Sequence, residues 1–403
     1  MFDLEAVQEC LREFQLDGWL LYDFRGSNMP ARRVLGLDGR PLGSRRFFYV
    51  IPAQGAPRKL VHRIEPSALD DLPGERTVYL RWQELEAGVA DLVKGLRGVA
   101  MEYAPRASNP YVSRVDGGVI ELVRSLGIEI VSSGDLIQRF ESVWDDDQWA
   151  MHLAAEKVTT AAFDVAFGLI ASRTADGGTV RETEVQSAIM DYFHQHGLTT
   201  YSPPIVGVGS HSGDPHYEPV AGRDGVIGKG DFVLVDLWAK LARPRAVYSY
   251  LTRVGFVGET VPAVYEETFS IVAAARDAAI TRVREAYAAG RPIQGYEVDD
   301  AARRVIENAG KGNAFIHRTG HNIGQEVHGN GAHMDNLETH EERLVLPRTC
   351  FSIEPGIYGP DFGIRSEVNV FVDATGEVHV TGGLQDRVLP ILDPDGRSIA
   401  MRA

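Results

Sequence analysis

"FVLVDLWAKLARPRAVYSYLTRVGF", residues 232–256, opens with four apolar residues that deliver an acid, Asp236. A turn carrying Pro244 follows, and then a second strand-like run, 247–252. An acid at the end of an apolar strand is costly to bury unless a cation or hydrogen-bond donors meet it. The second run answers with a phenol, Tyr250, since no Asp or Glu lies between 237 and 258. Whether this pair of strands holds a metal, and with which residues, decides how the rest of the chain is read.

Outward from this stretch, the chain divides in two. A length of 403 residues exceeds the roughly 250–300 at which one core usually stops growing. Over the first ~140 residues helix and strand signals alternate. "DLEAVQECLREFQ" reads as an amphipathic helix; "GWLLYD", "RRFFYVIP", "RKLVHRI", "TVYL", "VAMEYAP" and "IEIVSS" read as strands; "YVSRVDGGVIELVRSLG" reads as a helix. Such alternation predicts an α/β domain with a partly parallel sheet. His62, Glu102 and Tyr103 show no clustering there and are given structural roles. At "ESVWDDDQWA" the character changes, and Asp145 to Asp147 suit the N-terminus of a long Ala-rich helix. The boundary is placed there, giving domains 1–145 and 146–403. In the second domain helices are expected at 180–197, 262–289 and 297–309. Strands are expected at 232–236, 247–257, 350–354, 364–372 and 377–380. Helices first and strands late favour an α+β architecture.

Bulk properties exclude several classes. The net charge of −15 argues against nucleic acid or an anionic membrane surface, both of which are bound through Lys/Arg patches. No window reaches the roughly 18 apolar residues of a membrane span. The first residues are acidic and helix-periodic rather than signal-like, and Cys10 and Cys350 are too few for a disulfide framework. A cytoplasmic location is expected.

Groups able to do chemistry gather in five places. They are the loop "GSHSGDPHY" with His211 and His216, the strand end Asp236, "HRTGHNIGQEVHGNG" with His317, His321 and His328, "CFSIEPGIY" with Glu354, and "GIRSEVNVFV" with Arg365 and Glu367. Period two puts Arg365 and Glu367 on one face of a strand. Taken singly, Asp236 is a turn starter, His321 a loop histidine and Glu367 a solvated strand residue. Together, acids on apolar strands plus a Gly-flanked histidine are the ingredients of a hard or borderline cation site. No HExxH, CxxC cluster, GxSxG elbow or P-loop is present.

In this order the five segments resemble the pita-bread metallopeptidases, which include methionine aminopeptidase, Xaa-Pro aminopeptidase, prolidase and the metal-free creatinase. The resemblance covers residues ~150–390, and the N-terminal part is similar to that of prolidases and creatinase. It implies an N-terminal creatinase-like α/β domain followed by a pita-bread catalytic domain. It also implies divalent metal, with manganese favoured by carboxylate-rich ligation and zinc, cobalt or iron fitting the same groups. Asp236, His321, Glu354 and Glu367 match metal ligands, and Glu354 also matches the proton shuttle. His216 and His328 match histidines that aid proton transfer and bind substrate beside the peptide bond, and Arg365 the arginine that orients carboxylates. His317 and Tyr358 resemble residues of the proline-selective branch. The implied activity is hydrolysis of Xaa-Pro bonds by metal-activated water, on proline-containing peptides, in a homodimer.

One position departs. The family's bridging aspartate falls on Tyr250. Three readings stay open: Tyr250 ligates a metal as phenolate, Tyr250 only fills space beside a one-metal site, or the metal is gone. The last would make the protein a creatinase-type hydrolase or a non-catalytic peptide binder. Survival of the other four ligand positions favours a retained metal, bound as one ion or two.

Overall fold

A computed structural model describes residues 2–392. They form two compact units that divide between Glu141 and Ser142, just ahead of the acidic run. In the first unit a six-stranded sheet runs, in spatial order, Glu75–Tyr79, Arg58–His62, Phe47–Pro52, Gly18–Asp23, Gly98–Met101 and Glu129–Ser132. Gly18–Asp23 pairs antiparallel with Phe47–Pro52 and parallel with Gly98–Met101. The sheet is therefore mixed, and apolar clusters cover both of its faces. Glu102 is fully buried. It accepts hydrogen bonds from Trp19 Nε1 (2.6 Å), Asn28 Nδ2 (2.6 Å) and Ser133 Oγ (3.0 Å), the partners that make burial of an acid tolerable. Tyr103 meets Arg124 through its hydroxyl, and the His62 ring lies edge-on to Tyr79.

The helix expected across "YVSRVDGGVIELVRSLG" is shorter, Gly117–Ser125. Asp116 ends the preceding loop by accepting from Val119 N at 3.1 Å, and this cap sets the first turn.

In the second unit Asp145 caps a 29-residue helix, Asp146–Thr174, through a capping box with Gln148. The three acids of this helix start meet Arg245, Arg348 and Arg243 in turn. Two of those arginines come from the insert "LARPR", so the long turn after Asp236 packs on the helix N-terminus. This helix and Glu182–Gln195 share one core with the strand Phe232–Leu241. The helices Ala263–Ala288 and Gly295–Asn308 share another with Cys350–Ile353 and Val368–Val372. Helices thus back two separate sheets, as helices on a face of an α+β sheet do.

The expected strand 364–372 is broken. Gly363–Arg365 pairs with Gly356–Tyr358, whereas Val368–Val372 pairs with Cys350–Ile353. Between the two ladders lie Glu354–Pro355 on one chain segment and Ser366–Glu367 on the other. Pro355 has no N–H to continue a ladder, and the interruption leaves both glutamates where the two sheets part. The acids reach the centre of the unit because pairing stops beside them.

Candidate metal centre

Asp236 lies opposite Thr252 in the antiparallel register of the 232–241 and 249–256 strands, and Tyr250 lies opposite Trp238. Thr252 and Tyr250, two apart, face the same way. Both hydroxyls reach Asp236. Thr252 Oγ1 is 2.9 Å from Oδ1 and the Tyr250 hydroxyl donates to Oδ2 at 3.1 Å. Arg365 Nη2 donates to the same Oδ2 at 2.5 Å. Asp236 has no solvent exposure. Burial raises its carboxyl pKa against the opposing charge of Arg365.

His321 is held by close backbone packing. A Cβ on the preceding Gly320 would stand 1.9 Å from the Ser352 carbonyl oxygen, so only glycine fits there. His321 N donates to Ser352 Oγ at 2.9 Å, and that hydroxyl donates to Glu354 Oε1 at 3.0 Å. One serine therefore fixes the histidine and the glutamate together. His321 Nδ1 lies 3.1 Å from the Asn322 carbonyl, which places the ring proton on Nδ1 and leaves a lone pair on Nε2. That lone pair faces Glu354 Oε1 at 3.3 Å. Two electron-rich atoms in a buried site repel unless a cation or proton stands between them.

Ligand atoms of His321, Glu354 and Glu367 all lie within 4.8 Å of one another. His321 Nε2 and Glu367 Oε1 are buried and have no hydrogen-bond partner, while Glu367 Oε2 is 2.7 Å from Thr252 Oγ1. One nitrogen and two carboxylates suit zinc, manganese, cobalt or iron, so the residues present fit a divalent ion. Burial, then the neighbouring charges of Glu354 and Asp236, push the Glu367 pKa well up. Burial brings Glu354 to about 7.

A second layer continues from Arg365. Its Nε donates to Thr252 Oγ1 and its Nη1 to the Tyr358 hydroxyl, both at 3.0 Å. Tyr358 in turn lies 2.7 Å from His317 Nε2, and His317 Nδ1 lies 2.7 Å from the Arg318 carbonyl. The carbonyl assigns the proton to Nδ1, so Nε2 accepts from Tyr358. Burial, then the Arg365 charge, lowers His317 to about 3 and keeps the ring neutral.

The remaining sequence candidates lie at the edge. The His328 ring stands perpendicular to His321 with centroids 4.2 Å apart. His216 is exposed on the loop, its N–H bonded to Asp214. His211 points elsewhere, to the buried Glu182 at 2.9 Å. Glu182 also accepts from Tyr217, Val208 N and Gly225 N, so this histidine secures the loop.

Sequence reading passed over Ser352, Asn369 and Arg253. Asn369 Oδ1 accepts from Tyr250 N at 3.0 Å. Arg253 is buried and donates to the carbonyls of Glu367 (2.6 Å) and Thr252 (2.8 Å). Each is a polar residue inside an apolar run, in "FSIE", "EVNVFV" and "LTRVGF", and that was the available signal.

Among the described residues a second trio, Asp373, Glu377 and His379, also gathers. There Asp373 Oδ1 accepts from Thr375 N and Glu377 N, and Oδ2 meets His379 Nε2 at 3.0 Å. These bonds close a strand turn. No helix of the described residues is long and apolar enough to cross a membrane.

The model for metallopeptidase family M24 matches residues 150–374. The probable dipeptidase PepE of Mycobacterium bovis is 29% identical over 337 residues, 82% of each chain. An Xaa-Pro dipeptidase of Lactobacillus delbrueckii is 30% identical over 207 residues, 51% of this chain and 50% of that one. In fold, the crystal structure of dipeptidase PepE from Mycobacterium ulcerans superposes with a TM-score of 0.68, at 23% identity and 96% coverage of both chains. The Xaa-Pro dipeptidase from Bacillus anthracis superposes at 0.61, with 22% identity over 96% of this chain and 98% of that one.

Proposed function

The chain belongs to metallopeptidase family M24, and from this premise we propose that it is a metal-dependent dipeptidase acting on Xaa-Pro bonds. The observation that carries the proposal is the convergence of His321 Nε2, Glu354 and Glu367, two of whose buried atoms have no hydrogen-bond partner. A divalent ion held by these three residues would supply Lewis acidity for a scissile carbonyl and for water.

The protein's own groups do the rest. Glu354, beside the His321 ring and tied to Ser352, would take a proton from water and return it to the departing nitrogen. That nitrogen needs one, since proline leaves from a tertiary amide without an N–H. The neutral His317 and Tyr358, linked to Arg365, line the same neighbourhood and would orient the substrate. His328 and His216, at the exposed margin, would bind the peptide backbone and relay protons. Relatives named dipeptidase and Xaa-Pro dipeptidase support the substrate class. Cys10 and Cys350 are both buried free thiols, which suits a reducing compartment. Manganese is the preferred ion on the carboxylate share of the donor set.

The test is hydrolysis of Ala-Pro, Gly-Pro and Ala-Ala by chelated protein, with and without added manganese, cobalt or zinc. Metal-dependent cleavage, faster on the proline dipeptides, is expected. No cleavage with any ion would overturn the proposal. A metal-free hydrolase of creatinase type is the second reading, favoured by the Tyr250 hydroxyl on Asp236; activity that survives chelation would establish it.

A further inference from the structure

Asp236 is as buried as Glu354 and Glu367, yet it stands outside the trio whose ligand atoms lie within 4.8 Å of each other. Its oxygens are engaged. Oδ1 faces Thr252 Oγ1, and Oδ2 receives both the Tyr250 hydroxyl and the Arg365 guanidinium. Glu367 and His321 differ in kind, for each keeps one buried atom without a hydrogen-bond partner.

We infer that the centre binds a single divalent ion through His321, Glu354 and Glu367, and that Asp236 serves as counter-ion to Arg365 rather than as a ligand. The inference rests on the metal-dependent reading above and specifies its stoichiometry. Tyr250 is the residue that sets it. Its ring packs 5.4 Å from the His321 ring and 5.2 Å from Trp238, and its backbone N–H is bound by Asn369. The phenol is therefore fixed on three sides, and its hydroxyl shares Asp236 Oδ2 with the Arg365 guanidinium.

The single Thr252 hydroxyl proton cannot serve Asp236 Oδ1 and Glu367 Oε2 at once, and an ion on Glu367 relieves that conflict.

The experiment is metal counting on the full chain, stripped with chelator, reloaded with manganese and desalted, together with electron paramagnetic resonance. One ion per chain with the uncoupled spectrum of isolated Mn(II) is expected. Tyr250→Asp adds a carboxylate and removes the occupying hydroxyl, and is expected to raise the count to two with a spin-coupled signal. Tyr250→Phe is expected to stay at one. If Tyr250→Asp fails to fold, Asp236→Asn serves: it should keep one ion, and loss of that ion would overturn the inference. Two ions or a coupled signal in the unaltered protein would overturn the inference while leaving metal-dependent function intact. No ion with manganese, cobalt or zinc would overturn both.

Discussion

Arg365 Nη2 lies 2.5 Å from Asp236 Oδ2, with side-chain exposures of 4% and 0%. The arginine comes from the strand Gly363–Arg365 and the aspartate from Phe232–Leu241, so the pair ties one sheet to the other at the centre of the second unit. Removing one partner of a buried pair costs about 3–5 kcal/mol because the other charge is left uncompensated. Arg365→Met is therefore expected to lose about that much in urea unfolding of chelated protein. Adding Asp236→Asn should recover much of it, a non-additivity that a double-mutant cycle measures.

Tyr358 links Arg365 to His317. Tyr358→Phe keeps the ring and breaks both bonds. Losing an outer partner of this kind typically costs about 10–100-fold. We expect a fall of that size in kcat on Ala-Pro, with the metal count per chain unchanged. A count that falls with the rate would place Tyr358 in metal binding instead.

Gly320→Ala should be the most damaging single-methyl change near the site, since the added Cβ meets the Ser352 carbonyl at 1.9 Å. Backbone cannot yield as a flexible side chain does, so about 3 kcal/mol of overpacking strain is expected. The same displacement moves His321 and Ser352 apart, so weaker metal retention should accompany the lower melting temperature. The nearby Gly324, with nothing within 4 Å of its Cβ position, should accept alanine far better.

His152 predicts a pH dependence away from the metal. Its Nδ1 lies 2.9 Å from the Tyr248 carbonyl and its Nε2 2.8 Å from Thr381 Oγ1, between the rings of Trp144 and Trp149. Burial lowers its pKa to about 4, below the roughly 6.5 of an unfolded histidine. The unfolded chain then binds the extra proton first, so stability is full above ~6.5 and falls as pH drops toward ~4. His152 should account for about 2 kcal/mol of loss between pH 7.5 and pH 5. His152→Gln, which can still donate and accept, should flatten that part of the unfolding profile in urea.

Much of the site could be read from one dimension because its residues interrupt apolar strands. Asp236 in "FVLVD", Glu354 in "FSIE" and Glu367 beside "VNVFV" are acids where burial demands a partner, and all three are buried. Gly320 before His321 was readable only as a flanking glycine; that it lets the backbone approach Ser352 closely came from the structure. Helix limits were readable to within a few residues where caps are strong, as at Asp145. The single expected strand 364–372 was not readable as two pieces, because period-two alternation continues through Arg365 and Glu367 and the pairing partner changes between them. The roles of His211 and Ser352 were also hidden. Glu182 lies 29 residues from the one, and the other touches His321 from 31 residues away.

By itself the sequence determined the kinds of group available: acids on apolar strands, a glycine-flanked histidine, a phenol at position 250, and an α/β half followed by an α+β half. Those follow from local patterning, since burial and alternation leave their mark on neighbouring residues. Only the tertiary structure decided which of the acids stand together. Asp236 and Glu367 are both acids beside apolar strand runs, but long-range packing sets Arg365 and Tyr250 against Asp236 and leaves Glu367 Oε1 without a hydrogen-bond partner. Competition among donors for a buried carboxylate is settled by distances of a few ångströms across sheets, and such distances have no counterpart in spacing along the chain.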